Sequence, residues 1–143
     1  MHIKQWQLTR IGRELADIDD SFIFDGEETI EFRYGKYAVV ISGLRNYPFF
    51  PPHVNINGQI LSYTPRNFPE RLYKEHTLTY LNKCPCCVSI YCAENWSPAL
   101  GIKHIMREYI AFVEKLKTYQ KIKMFQDIWL PDDMIKEIIS FLL

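Results

Sequence analysis

Four cysteines fall within nine positions of KCPCCVSIYC: Cys84, Cys86, Cys87 and Cys92. Thiols this close together make a poor disulfide framework, because a bridge stabilises mainly by closing a long loop. They point instead to thiolate chemistry in a reducing compartment, or to metal ligation. Cys84 and Cys87 form a C-x2-C pair, one edge of a tetrahedral zinc site that Cys86, Cys92, His76 or His104 would complete. A two-pair zinc motif would be the stronger signal, and a single pair stands here. The same Cys87, if not a ligand, has the makings of a nucleophile, which requires an ionisable sulfur open to its substrate. A reactive thiol, a structural zinc site and idle reduced cysteines all stay open at this level. His2 and His53 have no partner that spacing identifies.

These residues need elements to hold them. The segment QWQLTRIGRELADIDD places Leu8, Ile11, Leu15 and Ile18 at helical spacing, with Arg10, Arg13 and Glu14 off that stripe. TIEFRY alternates Ile30, Phe32 and Tyr34 with polar residues, and Gly35–Lys36 makes a two-residue turn into YAVVISG. The stretch YPFFPP is too proline-rich for a strand interior and reads as a stiff, irregular connection. HVNI alternates again, and Asn57–Gly58 turns the chain into QILSY. From Thr64 to Lys83 no period survives, so a long irregular segment with a helical turn near PERLY is expected. Ile102, Ile105, Met106, Tyr109, Ile110, Val113 and Leu116 then define a long amphipathic helix. LPDDMIKEIISFLL opens on a proline and two aspartates, suited to a helix N-terminus, and carries an apolar face of Met134, Ile135, Ile138, Ile139 and Leu142. Helix, antiparallel strands, irregular cysteine-bearing segment and C-terminal helices make an α+β chain.

Composition narrows the function classes. The 143 residues are 48% hydrophobic and 15% aromatic, with 17 basic against 17 acidic side chains. That is enough for one sizeable core, and the balanced charge gives no nucleic-acid or anionic-membrane surface. No apolar run reaches the ~18 residues of a membrane span, and the opening residues do not resemble a signal peptide. A cytoplasmic, reducing location is expected.

Four stretches, in order, resemble the ubiquitin-conjugating enzymes and their UBC fold: LTRIGRELADI, YPFFPPHV, the cysteine cluster, and AENWSPALGIKHIM. Together they span roughly residues 5–115, and YPFFPP combined with WSPAL is the specific pair. The resemblance implies a UBC-like domain over residues 1–125, followed by a C-terminal amphipathic helix over 126–143. It implies no cofactor, and a cysteine that takes ubiquitin or a ubiquitin-like protein from an activating enzyme as a thioester. In that family the nucleophile lies about eight or nine residues before the tryptophan. Eight before Trp96 is Val88; nine before it is Cys87, making CVSIYCAENW similar to one group of the family, with Cys86 the second choice. The family's His-Pro-Asn motif, whose asparagine serves the oxyanion, is absent. Thr79 stands about where that asparagine would, and His76 and Asn82 are the nearest side chains able to help. Fewer residues than the family's usual long first strand pair needs separate Ile18 from Ile30, so the sheet should be shortened.

Phe49, Pro98 and Ala99, with Arg10 and Arg13 beside them, match positions where family members meet RING-type or HECT-type ligases. The alternative is that Phe49 or Phe50 plugs the bottom of the core. Trp96 is expected to be a buried plate behind the cysteine segment. The C-terminal LPDDMIKEIISFLL resembles the opening helix of an F-box, which docks on a Skp1-type adaptor; a helix packed on its own domain would carry the same stripe. A UBC-like domain with an F-box-like stub is similar to the minimal ubiquitin-pathway proteins of large DNA viruses, implying a host cytoplasm. The rival to an enzyme is a non-catalytic UBC-like interaction module whose cysteines bind zinc or stay idle.

Overall fold

A computed structural model describes residues 3–63, 89–126 and 131–142. The chain divides into two compact units, Met1–Ser62 with Ile90–Met106, and Tyr63–Ser89 with Arg107–Leu143. It is α+β, with a five-stranded antiparallel sheet.

The first unit opens with helix α1 (Gln5–Ala16), followed by β1 (Ile23–Phe24), β2 (Ile30–Tyr34), β3 (Tyr37–Ser42), a short 3-10 turn (Leu44–Asn46), β4 (His53–Ile56) and β5 (Gln59–Ile60). The strands form a meander in the order β1-β2-β3-β4-β5. Alternation in the sequence becomes register here. Ile30 faces Ile41 and Phe32 faces Val39 across β2 and β3. Val39 faces Ile56 and Ile41 faces Val54 across β3 and β4. All six side chains are buried. A slip of one residue would turn the whole set to solvent, so this ladder fixes the pairing.

The turns follow from residue type. Gly35 has φ 57, a left-handed conformation that side chains with a Cβ avoid. Asn57 and Gly58 have φ 52 and 84, positive at both central positions as a type I′ hairpin requires. The Asn57 side chain adds a bond, its Oδ1 accepting from the Ala38 N–H at 2.9 Å.

Some sequence expectations change. Helix α1 stops at Ala16, where the Ile18 and Asp19 N–H groups both donate to the Leu15 carbonyl, instead of running to Asp20. Its buried residues are Gln7, Ile11 and Leu15, while Leu8 and Ile18 are half-buried. A two-residue strand, β1, lies in the stretch that pattern alone left without one, pairing Ile23 with Glu31 and Phe24 with Ile30. QILSY contributes two residues to the sheet, and the Leu61 N–H then donates to the Val54 carbonyl.

The long helix α2 (Ile102–Gln126) and the helix α3 (Asp132–Leu142) form where the 3.6-residue period and the Asp132–Asp133 start place them. Ile102, Ile105 and Met106 are buried in the first unit. In the second unit, Tyr63 and Phe112 meet edge to face at 5.2 Å, and the Ser89 hydroxyl donates to the Glu108 carboxylate. Among the described residues no helix is long and apolar enough to cross a membrane.

Candidate functional site

Three stretches far apart in sequence meet in the first unit: the start of α1, the YPFFPP segment, and the turn from Cys92 to Gly101. The YPFFPP segment enters through a cis Tyr47–Pro48 peptide bond. Tyr47 is fully buried. Its hydroxyl donates to Glu14 on α1, and the Arg10 guanidinium lies 5.6 Å over its ring. Burial first, and the Glu14 carboxylate second, push the phenol far above its ordinary value of 10.0, so it stays protonated and keeps donating.

Gln7, 3% exposed, fixes the same segment from the other side. Its Nε2 donates to the carbonyls of Tyr47 at 2.7 Å, Arg45 at 2.9 Å and Leu44 at 3.2 Å. Its Oε1 accepts the Lys4 N–H at 2.8 Å, which closes the first turn of α1. Polar side chains on helices usually face water, and the hydrophobic pattern gave no sign of this one. Its position is legible only in hindsight, at i−4 from Ile11 on the buried stripe.

The turn Cys92–Trp96 is closed by the Asn95 and Trp96 N–H groups on the Cys92 carbonyl, both at 2.9 Å. Trp96 is the buried plate that was expected, and its Nε1 donates to the Pro48 carbonyl at 2.7 Å. Tyr91 donates in the same way to the Pro52 carbonyl at 2.6 Å, and burial raises its phenol. Arg10 Nη2 donates to the carbonyls of Pro98 and Leu100, while Nε pairs with Glu14 at 3.0 Å. Gly101 fits against Glu14 because it lacks a Cβ, and its N–H donates to His104 Nδ1 at 3.0 Å.

This framework leaves an exposed surface. Phe49 and Phe50 are 62% and 58% exposed, so neither plugs the core; buried Tyr47 fills the interior in that segment instead. Trp6, which sequence reasoning passed over, is 47% exposed and meets Phe49 edge to face, ring centres 6.2 Å apart. Pro98, Ala99 and Arg13 are exposed, and Arg10 is half-buried with its Nε and Nη2 engaged. The structure therefore joins two of the candidate ligase-contact residues directly, Arg10 to Pro98, and ties Phe49 to α1 through Trp6.

Cys84, Cys86, Cys87, His76, Thr79 and Asn82 lie outside the described residues, as does the helical turn expected near PERLY. Cys92 is a half-buried free thiol. Among the described residues no group of three or more His, Cys, Asp or Glu side chains is placed to hold a metal ion. A separate open groove of about 820 Å³ runs along the outer sheet face, past Val40, Ser42, Asn55 and Ile60 to Tyr91.

No protein-family model, characterised protein or solved structure matches the chain.

Proposed function

We propose that this chain is a ubiquitin-conjugating-enzyme-like protein: Cys87 carries ubiquitin or a ubiquitin-like modifier as a thioester, and a RING- or HECT-type ligase docks on the surface around Phe49, Pro98 and Ala99. One observation carries the reading. The three stretches that resemble the family outside the cysteine cluster are held together by Trp96 donating to Pro48 and Arg10 to Pro98. Phe49, Pro98 and Ala99 are left outward-facing. Exposed aromatics on a stiff, hydrogen-bonded loop, with an arginine nearby, are the composition of a protein-docking hot spot.

In the proposed reaction the Cys87 thiolate attacks the modifier's C-terminal carbonyl, held as a thioester on the activating enzyme. A new carbon–sulfur bond forms, the old one breaks, and the activating enzyme's cysteine leaves as a thiolate. Transfer onward to a lysine amine forms an amide and returns the Cys87 thiol. Each step passes through an oxyanion, and a missing donor at that point typically costs ~10²–10³ in rate. With no His-Pro-Asn present, Asn82 or Thr79 would have to supply it.

That absence is the specific observation favouring a second reading, a UBC-like interaction module that uses the docking surface without thioester chemistry. Incubating the chain with activating enzyme, ubiquitin or a ubiquitin-like modifier, and ATP separates the two. A thiol-labile adduct on non-reducing gels, kept in Cys86→Ala and lost in Cys87→Ala, is expected of the enzyme. No adduct with any modifier, together with stoichiometric zinc by elemental analysis, would leave the interaction module.

A further inference from the structure

The open groove of about 820 Å³ on the outer sheet face takes no part in the reading above. Its floor follows from register. Val39, Ile41, Val54 and Ile56 are buried on the core side, so Val40, Asn55 and Ile60 face outward, in one row across β3, β4 and β5. Strands stand about 4.8 Å apart, so the two aliphatic side chains flank the Asn55 amide over roughly 10 Å. In the neighbouring row Ser42 pairs with His53, whose ring lies against Gly43, 3.2 Å from where a Cβ would stand. Tyr91 also lines the groove, its hydroxyl held on the Pro52 carbonyl. Among the described residues no Asp, Glu, Lys or Arg lines it. Charges stand at its border: Glu31 opposite Val40 and Arg33 opposite Ala38 on β2, with Asp25 beyond Thr29, whose N–H it accepts. Among the described residues the side chains of Ser42, His53 and Asn55 have no hydrogen-bond partner.

We propose that this groove binds a small, flat, uncharged molecule with a carboxamide or lactam edge, and that Asn55 is the residue that recognises it. An asparagine amide presents a carbonyl acceptor beside an NH2 donor, and a ligand edge with a donor beside an acceptor answers both at once. A ring carrying that edge can rest on Val40 or Ile60 while the edge meets the amide, and Ser42 and His53 extend the polar contacts along the sheet. The volume lies within the ~300–1,000 Å³ usual for small-molecule sites. A charged ligand would lose hydration here with no opposite charge lining the groove to replace it. The site depends neither on Cys87 chemistry nor on docking around Phe49, so its test leaves both of those readings where they stand.

The test is an NMR titration of the intact, ¹⁵N-labelled chain with four probes of one size: benzamide, benzoate, benzamidinium and acetophenone. Benzamide should shift the amide signals of Val40, Asn55 and Ile60 along one saturable curve, with a Kd of about 1–10 mM for so small a ligand in an open groove. Benzoate and benzamidinium, which are charged, and acetophenone, which lacks the donor, should each bind at least about tenfold more weakly. Asn55→Ala should weaken benzamide about tenfold while the core signals of Val39 and Ile41 stay in place. Ile60→Ser alters a side chain 72% exposed at the sheet edge, keeps the test readable should Asn55→Ala disturb the sheet, and should cost about fivefold. No saturable shift at these three positions, equal binding of the charged probes, or indifference to both substitutions overturns the proposal. So do shifts at the same positions on protein dilution or with added ubiquitin but not with benzamide, which would give the face to a protein.

Discussion

Replacing Gln7 should destabilise the protein far more than a polar helix residue normally would. The amide has two N–H groups and meets three carbonyls, of which those of Leu44 and Tyr47 belong to fully buried residues. The Leu44 carbonyl keeps the Tyr47 N–H, at 3.1 Å, so Gln7→Ala strands the Tyr47 carbonyl, at about 1–3 kcal/mol for a buried acceptor left without a donor. It also frees the Lys4 N–H, a cap worth about 0.5–1 kcal/mol. Arg45 is exposed, so water can restore that bond. The expected loss is about 3 kcal/mol, which at a urea slope of ~2 kcal/mol per molar moves the midpoint down by about 1.5 M with the slope unchanged. Gln7→Leu separates bonding from packing: it fills the space, strands the same Tyr47 carbonyl, and should lose nearly as much. Gln7→Glu adds a pH signature. A carboxylate facing carbonyl oxygens is disfavoured when charged, so its folded-state pKa is raised above the unfolded value of ~4.3. The variant should approach the parent's stability below that pH, where the protonated carboxyl donates, and fall away as pH rises through the folded-state value. Urea curves at several pH values decide it. A Gln7→Ala loss under about 0.5 kcal/mol, or a neutral Gln7→Leu, would refute the reasoning.

Tyr47→Phe removes the phenol that donates to Glu14 and should cost about 1.5–3 kcal/mol in the same urea assay, the range for a hydrogen bond to a charged group. Gly101→Ala would bring a Cβ to 2.8 Å from Glu14 Oε1 and 3.0 Å from its Cδ, with Glu14 tied to both Arg10 and Tyr47. A loss of about 1–3 kcal/mol is expected from that overlap. Gly12→Ala, within α1 and with nothing within 4 Å of the added methyl, should instead stabilise by about 0.5–1 kcal/mol, read as a rise in melting temperature. Asp25 Oδ1 accepts the N–H groups of Thr29, Glu27 and Glu28, and these bonds hold its carboxyl below the ordinary 3.8. A lowered folded-state value contributes stability above 3.8 that disappears as pH falls below it. Asp25→Asn should therefore flatten the acid end of a stability-versus-pH curve, and an unchanged acid limb would count against the bonds.

What could be read in advance is what repeats. Ile30, Phe32, Val39, Ile41, Val54 and Ile56 alternate, so both long hairpins were legible, and Gly35 and Asn57–Gly58 marked their turns. The 3.6-residue period from Ile102 marked α2, and Pro131 with the two aspartates marked the start of α3. β1 was not legible because two residues show no alternation; the pairing of Ile23 and Phe24 depends on β2 being there. At the candidate site, the exposed Phe49, Pro98 and Ala99 could be singled out because their motifs are local. Gln7, Glu14 and Trp6 could not. Periodicity sorts side chains by polarity, and a glutamine inside or a tryptophan outside is misfiled by that rule whatever the care taken. Their roles are set by contacts 33 to 43 positions away, which no window along α1 contains.

The same limit explains how a proline-rich segment can be rigid enough to hold two aromatic rings out to solvent. Proline has no N–H and cannot enter a ladder as a donor, so the chain around it tends to leave carbonyls without backbone partners. Three such carbonyls are met here by side chains from elsewhere in the first unit: Pro48 by the Trp96 indole, Pro52 by the Tyr91 phenol, Pro98 by the Arg10 guanidinium. Each donor brings a large ring or a planar cation that also covers the segment it bonds. Satisfying the backbone and immobilising the loop are therefore one event, achieved without secondary structure. Phe49 and Phe50 then project from a base held on the α1 side by Gln7 and behind by Trp96, which lowers the ordering cost a partner would otherwise meet. On this reasoning Trp96→Phe, which keeps most of the ring and loses the donor, should loosen the Phe49 loop before it unfolds the sheet. Amide exchange at Phe49 and Phe50, both bonded to the Asn46 carbonyl, should quicken while that of Val39 and Ile41 holds. Equal acceleration at all four sites would mean the loop has no stability of its own to lose.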